Sequence, residues 1–243
     1  MNAANPGGFS HKDIAVRDRL IFALDVPDYD QAVDLIERLG DSVQVYKIGL
    51  ELFLSGRYFD LVDLLLKRDR KIFADLKLFD VPETVRRAVR RLSGRGITFL
   101  TVHGNDSILR AAAEDKGDLK ILAVTALTSL DRGDLDDLGF ACNVEDLVLS
   151  RAKRALEIGC DGVISSGLEA PRLRAHLDHK LLVITPGIRP VENRTDDQKR
   201  VVTVDQAFNN GADHIVVGRP IKNAEDPCKA AEAIQETIAK LYT

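Results

Sequence analysis

Cysteine is scarce: Cys142, Cys160 and Cys228 are odd in number, scattered, and without the spacing of a metal site or a disulfide framework. They read as reduced, structural residues of a cytoplasmic protein. No segment approaches the roughly 20 consecutive apolar residues needed to span a bilayer. The opening MNAANPGGFSHKDIAV has no apolar core of signal-peptide type and no periodic apolar face. With Pro6, Gly7 and Gly8 it reads as a flexible, dispensable extension over residues 1–16, ahead of a single domain over residues 17–243. Low-complexity tracts and composition breaks that would divide the chain further are missing. So is any excess of positive charge: 34 Lys and Arg against 38 Asp and Glu leave a net charge of −4, with no general attraction to nucleic acid. Arg86, Arg87, Arg90 and Arg91 form one basic cluster. They alternate with Val85, Ala88, Val89 and Leu92 at helical spacing, which makes them the outer face of an amphipathic helix.

What is present is a repeated unit: a short apolar strand, a polar or charged residue, an amphipathic helix and often a glycine. Strands are expected at LIFALD (20–25), VQVYKIG (43–49), KIFADLK (71–77), ITFLTVH (97–103), KILAVTAL (120–127), GVISS (162–166), LLVIT (181–185) and HIVVG (214–218). Helices are expected over about 28–39 with Gly40 as its stop, through 61–66, after Pro82, over 144–158 with Gly159 as its stop, and from Pro227. Eight strands alternating with helices predict a parallel sheet, and 243 residues suit its closure into a TIM (β/α)8 barrel. An open doubly wound sheet is the alternative. It is weakened because Asp25-Val26-Pro27 stands after the first strand, where a GxGxxG turn would be expected.

The stretch KIFADLKLFDVPETV (71–85) carries the densest chemistry. An apolar run ends in Asp75, Lys77 and Asp80, and strand alternation sends Asp75 and Lys77 to the same side while Leu76 points away. An exposed ion pair on an edge strand is the plain alternative. The apolar flanks argue instead for a buried strand with charges only at its carboxyl end, where parallel α/β folds place their chemistry. Pro82 disfavours helix at Val81, so Asp80 falls in a turn and a helix begins near Pro82.

On a barrel, the other strand ends converge on the same mouth. Asp25 ends the first strand, Lys47 lies near the end of the second, Thr128 follows the fifth, and Gly218-Arg219 follow the eighth. His103 follows the fourth and reads as a loop residue outside the site. The connection after the seventh strand, residues 186–202, is long and rich in charge, including Arg189. Long loops of this kind are often functional, and barrels bind phosphate with the loops after strands seven and eight. Gly218 lets a backbone approach an anion closely, and Arg219 can grip one in bidentate fashion.

These residues resemble a known family. DLKLFDVPETV matches the D-x-K-x-x-D-[IV]-P-x-T signature of the orotidine 5′-phosphate decarboxylase family. The match continues, in the family's order, through ALDV (23–26), YKIG (46–49), ALTS (126–129), TPGIRP (185–190) and VVGRPI (216–221). Phe79 and Glu83 occupy positions of the signature where other side chains are frequent. The resemblance implies a TIM barrel acting as a homodimer, without metal or organic cofactor, that converts orotidine 5′-phosphate to UMP and CO2 in pyrimidine synthesis. It implies that Lys47, Asp75, Lys77 and Asp80 form the charged catalytic network, with Lys77 as proton donor and Asp80 acting across the dimer interface. It further implies that Asp25 binds a ribose hydroxyl, Thr128 holds the pyrimidine, and Thr84 contacts ligand from the partner chain. Arg189, Gln198, Gly218 and Arg219 match the phosphate-side residues. Two other readings remain: a Mg²⁺-dependent sugar-phosphate decarboxylase or synthase on the same barrel, and a non-catalytic nucleotide-binding barrel. The proline and threonine of the signature, with ALTS and TPGIRP, favour the nucleotide enzyme.

Overall fold

A computed structural model describes residues 9–10, 12–127, 129–177, 179–189 and 201–242. Eight parallel strands close into a barrel in sequence order: β1 (Leu20–Ala23), β2 (Val45–Gly49), β3 (Lys71–Leu78), β4 (Phe99–His103), β5 (Lys120–Val124), β6 (Gly162–Ile164), β7 (Leu182–Thr185) and β8 (His214–Val217). β8 returns beside β1, with Ile21 opposite Val216. The expected fold is the one observed.

Strand alternation builds two cores from these short runs. Ile21, Ala23, Val45, Phe73, Phe99, Leu122, Leu182, Ile184 and Val216 point inward and fill the barrel. Their sequence neighbours, among them Leu20, Phe22, Tyr46, Ile48, Ala74, Leu100 and Val102, point outward and pack under the helices. Both faces being apolar explains why β1 and β7 read as continuous hydrophobic runs. The same alternation carries inward-facing positions up to the carboxyl mouth, where the side chains turn polar.

The helices end where their local chemistry requires. Asp28 caps the helix Tyr29–Leu39 by accepting from the Gln31 backbone N–H, and Gly40 terminates it at φ 52°. Gly159 ends the helix Val144–Ile158 in the left-handed region at φ 95°. Pro82 opens the helix Pro82–Leu92, which buries Val85, Val89 and Leu92. Its arginine face is exposed and largely ion-paired: Arg86 and Arg87 meet Glu83, and Arg86 and Arg90 meet Asp115. After β2 the single expected helix is two, Leu50–Leu54 and Tyr58–Lys67. The shorter one leaves Leu50, Phe53 and Leu54 exposed. Among the described residues no helix is long and apolar enough to cross a membrane. Cys160 is buried, and burial pushes its thiol up to about 12, which leaves it unreactive.

The opposite end of the barrel is closed by ions. Asp213, fully buried, accepts from Arg174 at 2.6 Å, from Lys12 at 2.9 Å, from Ser10 and from the Val183 backbone N–H. Arg174 also donates to the carbonyls of Gly211 and Leu181. The segment read as a flexible extension over residues 1–16 is described at residues 9–10 and 12–16, and there Ser10 and Lys12 tie it to the barrel floor. Phe9, Ile14 and Val16 add apolar contacts with the core, but without helix or strand spacing, so periodicity carries no sign of the docking.

Candidate active site

Asp25, Lys47, Asp75 and Lys77 form a continuous chain of charge at the carboxyl ends of β1, β2 and β3. Lys47 Nζ lies 2.9 Å from Asp25 Oδ1 and 3.4 Å from Asp75 Oδ2. Lys77 Nζ lies 2.9 Å from the same Asp75 oxygen. Asp75 Oδ1 accepts from the hydroxyl of Thr101 on β4, also at 2.9 Å. The side chains of Lys47 and Asp75 are each 12% exposed and that of Lys77 is 35% exposed, so the last ammonium faces the opening.

Burial works to discharge Lys47 and Asp75, and their pairing prevents it. For Lys47, burial works toward the neutral amine, but Asp75 and Asp25 outweigh it and the pKa is raised. For Asp75, burial favours the protonated acid, but Lys47 and Lys77 hold its pKa below the usual carboxylate value. Both stay ionised at neutral pH. The two ammoniums and two carboxylates together carry no net charge.

The position of Lys77 departs from simple strand geometry. Alternation predicts that Asp75 and Lys77 share a side, and they do. β3, however, reaches that arrangement through an irregularity. Ala74 pairs with Leu100 and Leu78 with Val102, so β3 advances four residues while β4 advances two. Lys77 sits at φ 46°, in the left-handed region, at a cost of about 1–2 kcal/mol for a side chain of this kind. Strained backbone of this sort clusters at functional sites and persists when its surroundings hold it.

A cavity of about 430 Å³ opens beside the charges. Asp25, Lys47, Asp75 and Lys77 line it together with Arg189, Gly218 and Arg219, and Gly218 lies next to Asp25 where β8 meets β1. Phe73, Val124, Ala126, Leu127, Ile164 and Val216 supply its apolar surface. Gly218 precedes the short helix Arg219–Lys222, and a Cβ there would come within 3.3 Å of Ala23. Glycine thus keeps the β8 end close to the β1 end. Arg189 follows an isolated parallel bridge, Ile188 with Val202, and its backbone N–H donates to Val202 O at 3.0 Å. That bridge fixes the base of the long connection after β7.

Seven of the expected site residues therefore converge. Asp80 and Thr84 do not join the cavity of their own chain. Asp80 lies in an exposed turn, with Oδ1 accepting from the Val81 backbone N–H at 2.6 Å, and Thr84 is exposed on the helix that follows. Thr128 and Gln198 lie outside the described residues. His103 packs its ring 4.7 Å from that of Phe79, and burial, Arg151 and Lys77 lower its pKa. Two residues were not expected in the site. Thr101 is signalled only as the lone hydroxyl at an inward position of ITFLTVH. Lys222 lines the cavity and donates to Asp25 O at 2.7 Å, and nothing in its sequence surroundings marks it.

Fold and mouth together define a barrel enzyme whose charged residues stand at the strand ends. A family model described as "Orotidine 5′-phosphate decarboxylase / HUMPS family" matches residues 18–234. A relative from Methylococcus capsulatus named orotidine 5′-phosphate decarboxylase is 65% identical over 238 residues, covering 98% of both chains. Another so named, from Xanthomonas euvesicatoria pv. vesicatoria, is 51% identical over 227 residues and 93% of both chains. The crystal structure of orotidine 5′-phosphate decarboxylase from Lactobacillus acidophilus superposes with a TM-score of 0.80 at 36% identity, over 91% of this chain and 99% of that one. The chain belongs to the orotidine 5′-phosphate decarboxylase / HUMPS family.

Proposed function

We propose that this chain decarboxylates orotidine 5′-phosphate to UMP and CO2, with Lys77 stabilising and then protonating the carbon that loses CO2. The observation that carries this reading is the unbroken Asp25–Lys47–Asp75–Lys77 array, which shares one cavity with Arg189 and Arg219. Departure of CO2 from C6 of the pyrimidine leaves electron density on a carbon with no adjacent carbonyl to receive it. A fixed ammonium beside that carbon meets charge that develops only toward the transition state, so it accelerates the reaction rather than merely binding substrate. Lys77 then delivers a proton to C6. Asp75, held ionised between two lysines, would lie near the substrate carboxylate and add like-charge repulsion that is relieved as CO2 leaves. Asp25 receives a ribose hydroxyl, and Thr128 holds the pyrimidine. Arg189, Gln198, Gly218 and Arg219 take the phosphate. The phosphate is remote from the reacting bond, and its binding energy orients the ring against Lys77.

A spectrophotometric assay with orotidine 5′-phosphate, run with and without a chelator, tests the reaction. Turnover indifferent to chelator is expected. No turnover would sink the reading, and chelator-sensitive turnover would favour the Mg²⁺-dependent relatives. Against those relatives stand the two lysine ammoniums beside Asp25 and Asp75, whose charge opposes a divalent cation at those carboxylates.

The same reading makes the active unit a homodimer in which Asp80 and Thr84 serve the partner's site. Its support is their exposed position off their own cavity, with exposed Phe79 and Val81 on either side of Asp80. Mixing two inactive variants, Lys77→Ala and Asp80→Asn, under subunit exchange tests this. A hybrid dimer has one site with both lesions and one with neither. Random exchange makes about half the dimers hybrid, so roughly a quarter of wild-type activity should return. No recovery, with exchange verified by mass spectrometry of tagged chains, would place Asp80 in its own subunit's site.

A further inference from the structure

Thr101 is the single β4 residue between the pairs Ala74–Leu100 and Leu78–Val102, and it therefore faces three residues of β3, Asp75 to Lys77. Leu76 turns outward into the helix-facing core. Asp75 and Lys77 are left on the mouth side, two residues apart and served by one hydroxyl. Thr101 is fully buried. Its Oγ1 accepts from the Lys77 backbone N–H at 2.9 Å and donates to Asp75 Oδ1 at 2.9 Å. A hydroxyl supplies one donor and two acceptor lone pairs, so it can make both bonds at once. A hydrocarbon of the same shape can make neither.

We propose that Thr101 is a positioning residue that sets the Asp75–Lys77 pair, holding the backbone of the lysine and the carboxylate of the aspartate through the same oxygen. The proposal rests on the reading of Lys77 as the group that meets C6. Two features of the site need such a hold. Lys77 occupies a left-handed backbone conformation that a non-glycine residue keeps only under restraint, and its N–H is the group that Thr101 receives. Asp75 Oδ2 is shared by two ammoniums at 2.9 and 3.4 Å, and a bond on Oδ1 fixes the rotation that keeps both in reach. With Thr101 removed, the carboxylate is free to turn and the lysine backbone to relax. The ammonium then sits at a distribution of distances from C6.

Thr101→Val removes both bonds at nearly constant shape, and Thr101→Ser keeps the oxygen. In Thr101→Val, kcat should fall about ten- to hundredfold while the affinity for UMP stays within about threefold, the pattern of a misplaced reacting group rather than a lost binding contact. Thr101→Ser should recover most of kcat. Independently of activity, the carboxyl carbon of Asp75, followed by ¹³C NMR, should titrate at higher pH in Thr101→Val and at the wild-type pH in Thr101→Ser, because a bond to the ionised form has been lost. Thr101→Ala removes the same hydroxyl without placing a methyl beside Asp75, and replaces Thr101→Val if that variant does not fold. A kcat within twofold of wild type, a loss in Thr101→Ser equal to that in Thr101→Val, or an unmoved Asp75 titration would overturn the proposal. If Lys77→Ala stays fully active, the reading of Lys77 falls instead, and the Asp75 titration still decides whether Thr101 sets the pair.

Discussion

Lys77→Ala should abolish measurable turnover while leaving a folded barrel. Two contributions disappear together: charge stabilisation of the developing carbanion, about 10²–10³ for one preorganised donor, and proton delivery, about 10²–10⁴. Groups that act as a unit are not additive, so a loss of at least about 10⁴ in kcat is the expectation, or roughly 5.5 kcal/mol of barrier. The fold should tolerate the change because the Lys77 side chain is 35% exposed, more open than the Lys47 and Asp75 beside it. Asp75 keeps Lys47 at 3.4 Å and the Thr101 hydroxyl at 2.9 Å, so no carboxylate is stranded. Steady-state kinetics beside circular dichroism and a melting curve separate the two effects. Activity within tenfold of wild type would remove Lys77 from the chemistry.

Asp213→Asn should cost most of what a single substitution can cost this fold. It leaves Arg174 and Lys12 facing each other at the barrel floor without the carboxylate that neutralises them. Breaking a buried pair from one side costs about 3–5 kcal/mol. In a chain of this size that lowers the melting temperature by on the order of 10 °C. The pH dependence has a definite sign. Burial works to raise the Asp213 pKa, but Arg174 and Lys12, with the bonds from Ser10 and Lys12, bring it below the reference value of 3.8. The ionised carboxylate therefore contributes fully above that value, and its contribution is lost as pH falls through the lower native pKa. The difference in stability between wild type and Asp213→Asn should be constant near neutrality and shrink only in strong acid. Denaturant melts at pH 7 and at stepwise lower pH measure it. A difference that grew on acidification would show that Asp213 is not held ionised.

The two substitutions act at opposite ends of the barrel, and they differ in how far the sequence foretold them. At the mouth the reading from sequence went far. Hydrophobic runs of strand length, repeated with helical intervals, encode the barrel because each strand must bury both faces, and apolar side chains in one run satisfy both at once. The charged residues that interrupt those runs at their carboxyl ends could be located by alternation alone, which is why Asp25, Lys47, Asp75 and Lys77 were legible. Arg189, Gly218 and Arg219 were legible from their places after strands seven and eight.

Tertiary structure decided the rest, because the remaining features depend on pairings between segments distant in sequence. The register shift against β4 brings Asp75 and Lys77 together around Thr101, and no local pattern in KIFADLK announces a residue at φ 46°. Lys222 reaches the site by donating to a carbonyl 197 residues earlier in the chain. Ser10 and Lys12 dock through a polar bond to Asp213, which has no period to detect. Asp80 and Thr84 lie off the lining of their own cavity, in the exposed turn and the helix that follow the strand end. The sequence by itself determined the barrel and the charges at its mouth, since both follow from burial along a strand. Only the folded chain decided the pair's alignment and the ionic closure of the floor, since each depends on where one strand's register meets another's.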